Sequence, residues 1–185
     1  MKNPIPYLRF RRKATNRHGV HSPFIYSLLE DAIYKKDKKK ESSTKIKRTK
    51  EQKLFLRLLN FNKPNTAFIL EPNTYYNQVF TDYQLDNPSF SLKKLSSPSS
   101  LQNSFDVFVL NNIGDHKILL SFLETLVIKN TSFVIIPQIR ASKQQLEFWQ
   151  TIIKKDYAKV CLEFYRFGLV FFREECSKEY FKIRF

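Results

Sequence analysis

The stretch SFVIIPQIRASKQQLEFWQTIIKKDYAKVCLEFYRFGLVFF, residues 132–172, contains the elements that decide the fold. It opens with a continuous apolar run that Pro137 ends, which is typical of a buried strand. Ser142 and Gln145 have the spacing of a capping box, so a helix is expected to follow. Apolar residues at helical spacing predict the face of that helix that packs on the core, namely Leu146, Trp149, Ile152 and Ile153.

Two apolar segments end this stretch. Val160, Leu162 and Phe164 alternate as in a strand, and the chain returns through a turn at 166–168 into the apolar residues 169–172. So short a connection cannot make a parallel crossover. The sequence therefore predicts a C-terminal antiparallel hairpin.

The same alternation of apolar strands with helices extends toward the N-terminus. Strands are expected at 67–70, 90–95 and 105–110, the last being the strongly apolar FDVFVL. Thr49 and Gln52 form a second capping box, which predicts a helix that buries Leu54, Phe55, Leu58 and Leu59. Continuous apolar strands separated by helices indicate a mostly parallel sheet covered on both faces. The fold class is thus α/β, with a Rossmann-like sheet.

Two more helices are predicted from caps followed by apolar stripes. Ser22 before Pro23 opens one helix, whose stripe comprises Phe24, Ile25, Leu28, Leu29 and Ile33. Asp115 is suited to cap the other, whose stripe comprises Ile118, Leu119, Phe122, Leu123 and Leu126.

Composition excludes several classes of protein. With 42% hydrophobic residues and 18 phenylalanines, the chain is not largely disordered. It has no apolar run long enough to span a membrane, and no apolar segment follows the basic residues at the start as it would in a secretory signal. Cys161 and Cys176 are too few for a disulfide scaffold and lack metal-ligand spacing. We therefore expect reduced cysteines and a cytoplasmic location.

The net charge of +15 is concentrated near the N-terminus. Residues 1–53 have a surplus of 11 positive charges, and the other 132 residues have a surplus of only 4. This asymmetry divides the chain into a basic N-terminal helical extension and linker, 1–48, and an α/β domain, 49–185. Clustered cations can bind a polyanion such as nucleic acid, and the candidate residues are Arg11, Arg12, Lys13, Lys38, Lys39 and Lys40. The alternative is a solvated charged linker.

Three stretches resemble known proteins. They are KATNRHGVHSPFIYSLLE at 13–30, LLNFNKPNTAFILE at 58–71, and residues 105–185, which contain FDVFVL and GLVFFR. Together they are similar to a bacterial branch of the class I S-adenosylmethionine (SAM) dependent methyltransferases, described as O-methyltransferase-like. That resemblance implies a parallel sheet with a C-terminal antiparallel hairpin, and SAM as the cofactor.

The resemblance is weakest where a cofactor would bind. The family places an acidic residue and then a glycine loop after the first strand, because bare backbone lets a nucleotide approach closely. Here the segment reads Glu71-Pro72-Asn73-Thr74-Tyr75-Tyr76-Asn77, with the acid but no glycine. The expected ribose-binding acid after the second strand is also missing, and Lys93 and Lys94 stand near that position.

Later motifs of the family are altered as well. Asn111-Asn112 replaces an Asp-Gly pair, and Pro137-Gln138 replaces an acidic pair. Amides form hydrogen bonds but cannot act as general bases or anionic metal ligands. A helix and a strand of the first half also look absent, which implies a shortened domain. Only Glu71, Asn73, Asn77 and Asn111 remain as residues for holding a cofactor, and no catalytic or metal-binding set is left.

Three functions follow as alternatives. The first is a non-catalytic binding or scaffold protein with a degenerate SAM site, so that SAM is not expected to bind. The second is an active methyltransferase with an atypical loop, and the third is a nucleic-acid-binding module that uses the basic N-terminal third. Whether the chain is an enzyme stays open at this point, because function depends on the site and not on the sheet.

Single residues offer further hypotheses, each with a structural alternative. His18 and His21 are weak candidates for a metal site, and Asp115 and His116 follow a strand end where α/β sites lie. Trp149 is expected in the core. Three tyrosines, namely Tyr75, Tyr76 and Tyr83, are candidates for a base-stacking platform, and Arg140 with Lys143 for a phosphate contact.

Overall fold

A computed structural model describes residues 5–15, 22–35, 48–71, 74–97, 105–111, 116–125 and 132–185. The helices are α1 (Ile5–Lys13), α2 (Pro23–Leu28, continued by one π-helical turn at Leu29–Ile33), α3 (Lys50–Asn62), α4 (Thr74–Asp86), α5 (His116–Thr125) and α6 (Lys143–Lys154). The strands are β1 (Thr66–Leu70), β2 (Ser91–Leu95), β3 (Val107–Leu110), β4 (Phe133–Ile136), β5 (Val160–Phe164), β6 (Phe167–Phe171) and β7 (Glu179–Lys182).

The seven strands form one sheet in the order β2-β1-β3-β4-β6-β5-β7. All neighbouring pairs are parallel except the two that involve β6, which runs antiparallel to both β4 and β5. The six other strands therefore end at the same edge, called the carboxyl edge below. The predicted Rossmann-like α/β class is confirmed, as is the antiparallel hairpin formed by β5 and β6.

Successive side chains of each strand enter two separate cores. Ile69 of β1 and Val109 of β3 pack with α2, α3 and α4, whereas Phe68 and Phe108 pack with α5 and α6 on the other face. This alternation follows from the period of two along a strand. Because both faces are covered, the central strands β3, β4 and β6 are apolar and buried throughout, as the sequence indicated.

The two predicted capping boxes differ in completeness. Thr49 accepts a bond from the Gln52 backbone while the Gln52 side chain accepts from the Thr49 backbone, so this capping box is confirmed and α3 buries its four expected residues. The Ser142 side chain likewise accepts from the Gln145 backbone. However, Gln145 Oε1 has no hydrogen-bond partner, so the second box is only half formed.

Other details of the helices differ from the expectation. The buried face of α6 consists of Phe148, Trp149 and Ile152, whereas Leu146 and Ile153 are only partly buried. Ile118 of α5 is 58% exposed, so its predicted place in the core is wrong. Periodicity locates an apolar stripe, but the exact rotation of the helix about its axis depends on its packing partner. Here Phe148 is turned inward, with its ring 5.0 Å from that of His116.

The structure adds three elements that the sequence did not indicate. The first is α1, and the second is α4, which begins at Thr74, so that Tyr75, Tyr76 and Asn77 lie in a helix and not in a cofactor loop. The third is β7, which follows the hairpin and pairs parallel with β5, so the sheet does not finish at the hairpin. The ring of Phe185 contacts Phe164 of β5, with centroids 6.1 Å apart.

The glycine of the distinctive segment GLVFFR is Gly168, and its surroundings on β6 explain why it is glycine. It pairs with Glu163 on β5, and the fully buried Trp149 of α6 lies directly over it. A Cβ atom at this position would lie 2.4 Å from Cζ3 of the Trp149 ring. Only glycine therefore allows the helix to approach the sheet this closely.

We predict that Gly168→Ala lowers the free energy of unfolding by about 1 to 3 kcal/mol, because the added methyl group overpacks the core. Urea unfolding followed by circular dichroism measures the change. The matched background is Trp149→Phe, in which the smaller ring leaves room for the methyl group. In that background Gly168→Ala should lower the free energy of unfolding by clearly less. An equal cost in both backgrounds would contradict the contact between Gly168 and Trp149 as the reason for the glycine.

Candidate functional site

Ligands of open α/β sheets bind outside the carboxyl ends of the strands, where the strand order reverses. In this sheet the reversal lies at β1, which has β2 on one side and β3 on the other. Glu71 directly follows β1 and Asn111 directly follows β3. Two of the four residues predicted for a cofactor site are thus brought together at the position where such a site is expected.

A hydrogen bond joins Glu71 and Asn111 at this position. Asn111 Nδ2 donates to the backbone carbonyl oxygen of Glu71 over 2.7 Å, and the Glu71 backbone N–H donates to the Leu95 carbonyl over 2.8 Å. Glu71 has a φ of 48°, in the left-handed region that glycine occupies more easily. The residue after β1 is therefore fastened to both neighbouring strands in a conformation that costs about 1 kcal/mol or more.

The other two predicted residues do not join this pair. Asn77 lies half-buried in α4, and its Oδ1 atom is buried with no hydrogen-bond partner. Asn73 lies outside the described residues, as do residues 112–115 after β3. On β2, Lys93 and Lys94 are exposed, and the described residues after them are Leu95, Ser96 and Ser97, none of which is acidic.

The tyrosine platform is not formed. Tyr76 and Tyr83 are buried in the core and cannot stack on a ligand, so this prediction is wrong for both. Tyr75 is partly buried, and its hydroxyl group bonds with Thr49 and donates to Glu51 at the start of α3. Burial, opposed by the Thr49 bond and reinforced by the Glu51 carboxylate, raises the pKa of Tyr75 to about 12. Tyr75 and Tyr76 join α4 to α3.

Sequence reasoning missed a buried carboxylate on β5. Glu163 is 3% exposed and accepts hydrogen bonds from three side chains: Arg140 after β4, Trp149 Nε1 on α6 at 3.0 Å, and the Tyr180 hydroxyl on β7. The only signal in the sequence is a charged residue inside an apolar strand. Such a residue requires buried donors, because an unpaired buried charge is very costly.

Burial by itself would raise the pKa of Glu163, but the hydrogen bonds from Tyr180, Arg140 and Trp149 and the charge of Arg140 outweigh it and hold the pKa below its usual value. Burial and the bond to Glu163 raise the pKa of Tyr180 in turn. Glu163 is thus an ionised and fully bonded carboxylate at neutral pH. It serves as a structural anion and not as an available general base.

Arg140 extends this cluster to the N-terminal helix. Besides Glu163, its guanidinium group donates to the Tyr165 carbonyl oxygen and lies over two rings, those of Phe10 on α1 (5.2 Å) and Tyr165 in the hairpin turn (4.9 Å). These contacts engage Arg140 within the protein and disfavour the hypothesis that it meets a phosphate with Lys143, which stays a prediction. Lys143 instead lies 3.7 Å from Glu147 on the surface of α6.

The other buried carboxylates also have partners. Asp106 accepts from the backbones of Asn65 and Thr66 and from the Thr66 hydroxyl, while Asp82 pairs with Arg48 at 2.8 Å. Among the described residues, no group of three or more His, Cys, Asp or Glu is placed to hold a metal ion. In the same part of the chain no helix is long and apolar enough to cross a membrane.

Both cysteines are free thiols. Cys161 is buried on β5, and desolvation raises the pKa of its thiol to about 12, so it is an unreactive core residue at neutral pH. Trp149 lies in the core as expected. The predictions for His18, His21, Asp115 and the lysines at 38–40 fall outside the described residues. By contrast, Arg11, Arg12 and Lys13 are exposed at the end of α1.

In comparisons with known proteins, no family model, no curated protein and no solved structure matches this chain. Its candidate sites are therefore defined by geometry and chemistry alone.

We predict that Glu163→Gln destabilises the protein by about 2 to 4 kcal/mol at pH 7, since it removes the partner of a partly buried guanidinium group. Because the folded-state pKa of Glu163 is lowered, its stabilisation is complete above the ordinary carboxyl pKa of about 4.3 and is lost as the pH falls through the lower folded-state value. The difference between wild type and variant should therefore shrink between about pH 5 and pH 3.

Urea unfolding across this pH range measures both the destabilisation by Glu163→Gln and its change with pH. Glu147→Gln is the matched control, since Glu147 is exposed and its pair with Lys143 should contribute at most about 0.5 kcal/mol. A difference between wild type and Glu163→Gln that stays constant down to pH 3 would contradict a lowered folded-state pKa of Glu163.

Proposed function

We propose that the chain is a non-catalytic binding or scaffold protein, built on a methyltransferase-like α/β domain whose SAM site is degenerate. The observation that carries this proposal is the hydrogen bond between Asn111 and the Glu71 carbonyl. It occupies the point where the strand order reverses, which is the usual ligand position of such sheets. Glu71 is the only acid left from the expected cofactor motif, and its carbonyl oxygen already accepts a hydrogen bond from the protein.

The surroundings of this bond also disfavour a nucleotide cofactor. The sequence has no glycine where the glycine loop is expected, and α4 already begins at Thr74. The first turn of that helix is tied to α3 through Tyr75 and the buried Tyr76. The end of β2 offers lysines where a ribose needs an acceptor. The chain's own residues therefore do not fit SAM as the resemblance would require.

The test is calorimetric titration of the purified full chain with SAM and with S-adenosylhomocysteine. We expect no saturable heat and no shift of Tm up to about 1 mM ligand, a concentration that detects binding free energies near −4 kcal/mol. Titration of the same ligand stocks into buffer provides the blank. The far-ultraviolet circular dichroism of the same sample establishes that the protein is folded.

Binding at micromolar concentration would overturn the proposal and favour an active methyltransferase with an atypical loop. In that case Glu71→Ala and Asn111→Ala should weaken binding, whereas Glu147→Ala on the surface of α6 should not. A methyl-acceptor search would then be justified.

A further inference from the structure

The helix α1 presents an arginine-rich surface to solvent. Arg9, Arg12 and Lys13 have the spacing that places residues on one side of a helix, and Arg11 is exposed beside them. Within the part of the chain that the structure describes, none of these four cations forms an ion pair with a carboxylate. Their charges are therefore available to an external anion.

This helix is fastened to the domain along its other side. Phe10 and Ala14 are buried, and the Phe10 ring packs on Tyr165 in the hairpin turn. Thr15 pairs with Ile183 just after β7, and Arg184 donates to the Arg11 carbonyl oxygen at the end of the helix. Since β5 and β7 both end at the carboxyl edge, α1 holds its cations in a fixed place at that edge.

Tyr7 of α1 and Arg166 of the hairpin turn continue the surface. The Tyr7 ring meets Tyr165 edge-on, with centroids 5.1 Å apart, and Tyr7 remains 41% exposed. Arg166, the next residue of the turn, is exposed. We name the set Tyr7, Arg9, Arg11, Arg12, Lys13 and Arg166 the α1 surface.

We propose that the α1 surface binds single-stranded nucleic acid, with phosphates on its arginines and a base stacked on Tyr7. Guanidinium groups suit phosphates, and an accessible aromatic ring accepts a base of any sequence. This inference rests on the proposed function, in which the domain acts by binding. It adds the chemistry of the partner. The charged linker is not needed for it, because the α1 surface belongs to the folded domain.

Charge complementarity favours a polyanion. The whole chain has a net charge of +15, and the anion beneath the α1 surface, Glu163, is already neutralised by Arg140. A surface of exposed cations without carboxylate partners gains affinity for a phosphate chain by releasing its counterions.

An anionic membrane is a poorer match. A helix that lies in a membrane interface needs a free apolar side, but the apolar side of α1 packs on the protein through Phe10 and Ala14. Among the residues of this helix whose exposure the structure describes, the large hydrophobic side chains that protrude are Leu8 and Tyr7, and they stand among arginines.

The first test is fluorescence anisotropy of a labelled 12-nucleotide single-stranded RNA of mixed sequence, titrated with the full chain at several salt concentrations. The variant is Arg9→Gln with Arg12→Gln. Each phosphate contact contributes about 0.7 to the salt slope of a single strand, so the slope should fall by about 1.4. At about 0.1 M salt this corresponds to roughly 25-fold weaker binding.

The matched control is Lys94→Gln with Lys154→Gln. It removes the same charge from two exposed lysines, one on β2 and one at the end of α6, away from the α1 surface. Binding by this control should stay close to wild type. Equal losses in both double variants would overturn the proposal, because they would mean that only the net charge matters.

A second pair of variants tests the stacking contact. Tyr7→Leu should weaken binding by about tenfold at every salt concentration, whereas Tyr7→Phe keeps the ring and should bind like wild type. An RNA duplex of the same length should bind more weakly than the single strand, and single-stranded DNA of the same sequence determines whether the 2′-hydroxyl contributes. Equal effects of the two tyrosine variants, or equal affinity for the duplex, would overturn the stacking contact.

The failures of the two proposals are distinguishable. Absence of RNA binding together with binding to vesicles of anionic phospholipid would overturn the nucleic-acid inference and leave the SAM result untouched. Micromolar SAM binding together with RNA binding that depends on Arg9 and Arg12 would overturn the proposed function but support the α1 surface.

Discussion

The buried carboxylate of Glu163 is the interaction on which the C-terminal half of the sheet depends. Its donors come from three elements that are distant in sequence: Arg140 after β4, Trp149 on α6 and Tyr180 on β7. The same arginine packs on Phe10, so the N-terminal helix is joined to this centre as well. An ionised group in the core constrains all its donors at once, since losing any one of them leaves charge or polarity without compensation.

The carboxyl edge has two regions of different character. At β1 and β3 the protein's own groups engage one another, because Asn111 is bonded to the Glu71 carbonyl. At the hairpin, Glu163 and Arg140 hold Tyr165 and α1 in place, and the cations of α1 face outward. The usual ligand position of the sheet is thus internally bonded, while a basic surface lies farther along the same edge, near the ends of β5 and β7. This contrast favours binding of a large anionic partner over binding of a small cofactor.

Much of the fold was predictable because its signals are local. The Thr49 capping box, the apolar strands and the tight hairpin each depend on residues that are close in the chain. The strand β7 and the helix α4 were missed because both have mixed polarity, and only their pairing or packing partners make them regular. For the candidate site, the sequence identified Glu71 and Asn111 as neighbours of strand ends, but it could not show that they bond to each other.

The sequence by itself determined the α/β class, the two-sided burial of the sheet, the antiparallel return of β6 and the concentration of positive charge near the N-terminus. These properties follow from periodicity, connection length and composition. The tertiary structure alone decided that Glu163 has three donors, that Gly168 accommodates Trp149 and that the arginines of α1 lie at the carboxyl edge. The physical reason is that each of these depends on groups contributed by separate elements, and their meeting is fixed by the packing of the whole domain.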